Sequence, residues 1–256
     1  MYRWLILLLG VLFSCRSAPR LLWSSPSKER TGSEFYRSAA SMGWKQRDSL
    51  LLDYVTNGNI PDFLSKFTPV PVAIIDSNSG QLIKATFYVS PDYLSVGTNK
   101  DWVRVPVTAK TATLVLSRLT CFAPTPQLVN RIHEQASVKL EPVPLYAFRD
   151  STPTMWHHHL IIEGQRKGRN GLVSGIKKDI VFLRTPSDSV RADRVGIYGW
   201  HRLNNQPIQP FYQGHVWWYA DYSHGLRLVH QKIRVGQRWL DIEEVLKDAR
   251  LRQLLF

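Results

Sequence analysis

The sequence predicts an α+β fold: a single mixed domain over residues 43–256, with a mainly antiparallel sheet and flanking helices. Three observations carry this. Residues 70–75 and 81–89 are β-rich runs joined by Asp76-Ser77-Asn78-Ser79-Gly80, a string of turn formers that writes a hairpin. Capped helical stretches are mixed in, as where Thr125-Pro126 precedes the apolar face Leu128, Val129, Ile132 and Ala136. Strands and helices do not alternate regularly, and no internal repeat occurs, so a parallel βαβ architecture is not indicated.

Ahead of this domain, residues 1–14 read as a signal peptide. Arg3 supplies a minimal positive start, and Trp4 to Phe13 is almost unbroken apolar sequence. That run falls well short of the ~20 residues needed to cross a bilayer, so it fits the apolar centre of an export signal. Leu12-Phe13-Ser14-Cys15 follows and resembles a bacterial lipobox. The resemblance implies cleavage before Cys15 and a diacylglyceryl anchor on its sulfur, with ordinary secretory cleavage after Ala18 as the alternative. Residues 15–42 are rich in Ser, Arg and Lys and are expected to form a flexible tether.

Within the domain, a short helix is expected from Asp48 to its stop at Asn57-Gly58-Asn59, then a second helical piece over 60–67. After the hairpin, residues 93–96 and 102–107 read as short strands around a turn at 97–101. Residues 108–119 form a helix, Cys121-Phe122-Ala123-Pro124 breaks the chain, and the Thr125-capped helix ends near Ser137. Ser151 or Thr152 caps the next helix, which runs to about Gln165 and meets a basic loop at 164–171. Residues 172–183 read as one strand, 195–203 and 208 onward as a hairpin, and 225–235 as a further strand. Asp241 and Glu244 then form a capping-box pattern for a closing helix to Leu255.

Bulk properties limit the function classes. A hydrophobic content of 44% with 11% aromatic residues supplies a packed core and excludes a disordered chain. A formal charge of +13 favours anionic partners such as phospholipid head groups or cell-wall polymers. The Lys and Arg residues are dispersed, with no run of five, so the clustered footprint of a nucleic-acid binder is missing.

Chemistry concentrates in residues 194–228, which hold His201, His215 and His224 together with Trp200, Tyr212, Tyr219, Asp221 and Ser223. One arrangement is a thiol hydrolase. Cys121 would be the nucleophile and His224 the general base, with Asp221 or His215 as orienting or second acid–base group and Tyr212 as a further catalytic candidate. A helix N-terminus lowers a thiol pKa, and Cys121 stands four residues before the expected N-cap Thr125, near the helix's positive end but not at it, which weakens the case. The plainer reading is a buried, apolar cysteine. With Cys15 lipidated, Cys121 would have no disulfide partner in the chain.

A second arrangement is a catalytic zinc site on His201, His215 and His224. Their spacings of 14 and 9 residues match no zinc motif, and no HExxH occurs. Ser223 as a nucleophile is disfavoured, because it adjoins His224 in sequence and no GxSxG elbow is present. In His157-His158-His159 consecutive side chains of a helix diverge by about 100°, so at most one is expected to face inward. The aromatic residues of 200–222 suit either a core or stacking on sugars; of the adjacent Trp217 and Trp218, one is expected to be exposed. His201, Trp200, Tyr219 and Lys178 are the ligand-binding candidates, Lys178 as a partner for an anionic group.

Several strings resemble a group of exported bacterial proteins of unassigned function. They are Ile197-Tyr198-Gly199-Trp200-His201, Pro207-Ile208-Gln209-Pro210 with Tyr212, Gly214 and His215, and Tyr219 to Val229 with Asp221-Tyr222-Ser223-His224-Gly225. Pro91-Asp92-Tyr93-Leu94, the Cys121 to Thr125 helix start and Lys177-Lys178-Asp179-Ile180-Val181 add to it, covering most of residues 85–235. The resemblance implies an exported globular domain and no particular reaction.

The expectation is therefore an exported, envelope-facing lipoprotein of the periplasm or cell surface, held to the membrane by its N-terminal lipid. It would be a hydrolase of a cell-envelope polymer, peptidoglycan peptide or glycan. The alternatives are a non-catalytic glycan- or anion-binding lipoprotein and a zinc-dependent hydrolase.

Overall fold

Inward Val70 and Val72 on one strand meet inward Ile83, Ala85 and Phe87 on the next, and this hairpin is the root of the larger sheet. The computed structural model describes residues 19–21, 23, 25–182 and 194–256. The expected signal peptide and Cys15 lie outside the described residues.

In chain order the elements are α1 (Gly32–Ala39), α2 (Trp44–Thr56), a 3-10 turn (Asp62–Ser65), β1 (Thr68–Ile75), β2 (Leu82–Val89), β3 (Ser95–Gly97) and β4 (Trp102–Arg104). Then come α3 (Ala109–Arg118), β5 (Cys121–Phe122), α4 (Pro126–Gln135), β6 (Val138–Lys139), α5 (Thr152–Arg166), β7 (Val173–Ser174) and β8 (Lys178–Ile180). The last third holds β9 (Arg194–His201), β10 (Pro207–Val216), β11 (His224–Gly225), β12 (Val229–His230), β13 (Lys232–Val235), β14 (Arg238–Asp241), α6 (Ile242–Lys247) and α7 (Ala249–Arg252).

The architecture is α+β and mainly antiparallel. In the larger sheet β2 pairs with β1 along its full length on one side, and with β12 and β13 on the other. The order there is β14-β13-β2-β12-β5. A second sheet has the order β10-β9-β8-β11, with only β11 and β8 parallel. Two ribbons, β3-β4 and β6-β7, complete the set. Among the described residues no helix is long and apolar enough to cross a membrane.

Where expectation and structure differ, the reasons are local. The tether does not extend to residue 42, because Thr31 caps α1 through a full capping box and Phe35 and Ala39 are fully buried. The spacing of Phe35, Tyr36 and Ala39 puts one apolar face on the core, so the packed domain begins before residue 43. The strand read over 172–183 divides at Gly175, where φ is +96° and an added Cβ would lie 2.1 Å from the Leu140 carbonyl oxygen. β7 therefore joins β6, and β8 joins the sheet of β9 and β11. The strand read over 225–235 serves two sheets: β11 belongs to the smaller one, β12 and β13 to the larger. The closing helix starts at the expected capping box but breaks at Asp248, whose carboxylate caps α7 instead.

Candidate functional site

Two turns place the histidines. β10 ends at Val216, and the Asp221–His224 segment then closes on itself, the His224 N–H donating to the Asp221 carbonyl (3.1 Å). β11 lies parallel to β8, so His224 stands opposite Lys178. Gly225 permits this seat: a Cβ there would lie 2.5 Å from Tyr93 Cδ1 and 2.7 Å from Lys177 Cβ. An unbroken strand would have turned His224 away from His215. With the turn, the His224 ring meets His215 (centroids 5.3 Å apart) and Tyr219 (5.8 Å).

Asp221 is the anionic centre. Its side chain is 1% exposed and receives the Ser223 N–H (2.8 Å) and hydroxyl (2.6 Å) on Oδ1. Arg149 Nη2 donates to Oδ2 at 2.9 Å, and the Tyr219 hydroxyl reaches the same oxygen at 3.4 Å. Burial alone would raise the carboxyl pKa, but His224, the two Ser223 hydrogen bonds and Arg149 outweigh it and hold Asp221 below its ordinary range. His224 is 1% exposed, and neither ring nitrogen has a hydrogen-bond partner. Burial lowers its pKa, Asp221 opposes that, and His215, Lys178 and Lys177 add to the lowering. At neutral pH the arrangement is thus a neutral imidazole beside a carboxylate.

The mouth of the site is aromatic and basic. Half-buried His215 stacks on Tyr219 (4.8 Å) and meets the exposed Tyr212 edge-on (5.3 Å). Lys178 Nζ lies 5.2 Å from the centre of the buried Trp200 ring. Arg149 closes the loop between β6 and α5, which is pinned by Leu145 N–H to the Tyr222 hydroxyl (2.6 Å) and Tyr222 N–H to the Arg149 carbonyl (3.0 Å). Among the described residues the strongly exposed aromatic side chains are Tyr146, Phe148, Phe211, Tyr212 and Trp218. Each lies within four residues of Arg149, His215 or Tyr219. A cavity of about 390 Å³ adjoins Tyr219, lined among others by Trp44, Arg47, Asp150 and Trp218.

The structure thus brings together His224, Asp221, His215, Tyr212, Tyr219, Lys178 and Trp200. It leaves out Cys121, which sits in β5 of the other sheet, opposite His230, with its thiol donating to the Leu119 carbonyl at 3.2 Å. Burial pushes that thiol's pKa far up, the opposite of an activated nucleophile. His201 is also elsewhere. It pairs with Pro207, whereas His215 pairs with Val195, six residues along β9 and so roughly 20 Å away at ~3.3 Å per residue. There His201 stacks on His133 (4.6 Å) and its Nε2 contacts Asn130 Oδ1 at 2.8 Å. The His201, His215 and His224 zinc site is therefore not assembled. Among the described residues no three His, Cys, Asp or Glu side chains are grouped to hold a metal ion.

In the histidine triplet two rings are buried, not one. His158 Nδ1 lies 3.3 Å from Lys177 Nζ, and His159 packs between Trp102 and Trp156. Helix α5 is embedded on two sides, so neighbouring positions about 100° apart both meet protein. Trp218 is the exposed member of its pair.

Sequence reasoning missed Arg149, which sits in a proline-punctuated loop with no periodic signal. It also missed the buried charges beneath the site. Asp92 holds Arg104 by two hydrogen bonds (2.8 and 2.7 Å), and Asp179 accepts from the Tyr93 hydroxyl (3.0 Å). Lys177 donates to the Tyr222 carbonyl, and burial lowers its pKa to about 7. The chain matches no family model, no curated protein and no solved structure.

Proposed function

We propose that the chain is an exported, envelope-facing protein that binds a glycan on the surface around His215, Tyr219 and Asp221. The observation that carries this is the set of exposed aromatic residues on the chain segments that build one polar centre. Exposed Tyr146, Phe148, Phe211, Tyr212 and Trp218 flank the segments that supply Arg149, His215 and Asp221. Rings left in water lose burial they would gain against an apolar face, and a sugar offers C–H faces to stack on and hydroxyls for nearby polar groups. The apolar N-terminal run and the lipobox-like Cys15 support export and a lipid anchor in the membrane. Retention of the purified protein on insoluble peptidoglycan, and its titration with chitin, glucan and galacturonan oligosaccharides, tests the reading. Binding to one of these that weakens about tenfold in Trp218→Ala supports it; indifference to all four abandons it.

A second reading keeps the same ligand and adds hydrolysis. It is favoured by His224, a buried base whose two ring nitrogens are without partners beside Asp221. His224 would take a proton from the attacking water, and the Asp221 carboxylate would stabilise the imidazolium so formed. His215, entering the step protonated, would give its proton to the leaving oxygen; exchange of protons with solvent would then restore both imidazoles. Release of reducing ends from a bound glycan, lost in His224→Gln with binding kept, would establish this reading over simple binding.

A further inference from the structure

We propose that the ligand is an anionic saccharide, its charged group received by Arg149, His215 and Lys178 while its sugar rings lie on the aromatic rim. This rests on the glycan reading above and narrows it to a substrate class.

The charge balance at the mouth carries the inference. The positive side chains Arg149 and Lys178 and the neutral imidazole of His224, with His215 above it, lie around the buried carboxylate of Asp221, and Asp150 is the next acidic residue, at the adjoining cavity. Asp221 is already matched: Ser223 contributes two hydrogen bonds and Arg149 a third. Arg149 uses only Nη2 on it. Its Nε is buried and has no hydrogen-bond partner, while the side chain as a whole is 41% exposed, so the guanidinium fork keeps a buried, unanswered N–H although part of the side chain reaches solvent. Such a fork is the geometry that binds carboxylate or phosphate oxygens in pairs. Lys178 is 7% exposed and its Nζ lies over the Trp200 ring, which fixes a second positive group within electrostatic reach of Asp221. Below them lies His224, more than nine-tenths buried and with both nitrogens unpaired, a polar group that a neutral, purely stacking ligand would leave unanswered.

Carboxylate and phosphate both fit this chemistry, and the probes separate them. The purified protein is titrated calorimetrically with a galacturonate oligosaccharide, the same oligosaccharide fully methyl-esterified, a phosphorylated dextran oligomer and unmodified dextran. Binding of either charged probe at least tenfold tighter than its neutral counterpart is expected, and whichever charged probe binds names the group. Equal binding of charged and neutral forms overturns the proposal and leaves the glycan reading standing. No binding by any probe removes both.

A chain of charge +13 attracts anions everywhere, so position must be tested too. Arg149→Gln, and Arg149→Lys as the variant that keeps the charge but loses the fork, are expected to weaken the charged probe about tenfold or more. Lys84→Gln, an exposed lysine on β2, is expected to leave it unchanged. Equal losses in Arg149→Lys and Lys84→Gln, or none in either, contradict a built anion site; melting curves confirm that each variant is folded.

Discussion

The rings of His215 and His224 meet edge to face, 5.3 Å between centroids, although a turn and eight residues of chain lie between them. One ring is half-buried at the mouth and the other is closed beneath it beside Asp221. The contact joins a half-buried imidazole to a buried, neutral one. It exists because the Asp221–His224 turn reverses the chain and Gly225 lets β11 settle against Tyr93 and Lys177.

Acid should weaken the fold through its histidines. Burial is the first cause that lowers His133 and His201 to about 4 each, and it also lowers His158, His159 and His224. In the unfolded chain these groups bind protons near pH 6.5, so their contribution is full above that pH and is lost as pH falls from 6.5 toward 4. Asp179, raised by burial to about 7, acts in the opposite sense over part of that range, but it is one group against five. Urea unfolding at steps from pH 7 to 4 should give a steadily falling stability; a flat profile would contradict the burial of these rings.

The Asp92–Arg104 pair is buried on both sides, with side-chain exposures of 3% and 1%. Asp92→Ala strands the guanidinium, which also touches Glu163 at 2.8 Å. A loss of roughly 3–5 kcal/mol is expected from denaturant unfolding. A loss below about 1 kcal/mol would mean that the pair is open to water.

Much of the frame was legible because its signals are local. The hairpin of β1 and β2, the Thr125-Pro126 start of α4, the Ser151 cap of α5 and the Asp241 capping box are written within a few residues each. The density of His, Asp and Tyr between 212 and 224 likewise marked a cluster that does assemble. What the sequence hid is long-range. Arg149 reaches Asp221 across 72 residues, and Arg104 reaches Glu163 across another gap, with no periodicity to announce either. Cys121 and His201 misled for the same reason: each carries suggestive chemistry, and sheet register alone assigns them elsewhere.

Gly225 has no room for a side chain. Gly225→Ala is expected to cost roughly 1–3 kcal/mol, as overpacking does, because the new methyl meets Tyr93 and the Lys177 stem at less than 3 Å. It should also disturb the His224 seat, so ligand affinity falls with stability. Wild-type unfolding and wild-type affinity in this variant would contradict the close packing of β11 on β8.

Cys121 should be silent in the folded protein. Its thiol is 4% exposed by residue and its pKa is raised by burial, so a thiol reagent is expected to label it only when denaturant is added. Cys121→Ala should leave glycan binding unchanged. Fast labelling of the native thiol at neutral pH would reopen a thiol mechanism.

The aromatic rim is the centre of the account, and removing it is the most direct test. Calorimetric titration of the wild-type protein and a Tyr146→Ala, Phe148→Ala, Trp218→Ala triple variant with the galacturonan, chitin and glucan oligosaccharides compares them on one scale. The three side chains are exposed, so the variant should unfold within about 1 kcal/mol of wild type. The wild type is expected to bind at least one oligosaccharide and the folded triple variant to bind it at least tenfold more weakly, about 1.4 kcal/mol or more. Undiminished affinity in the folded variant would contradict a binding role for these rings.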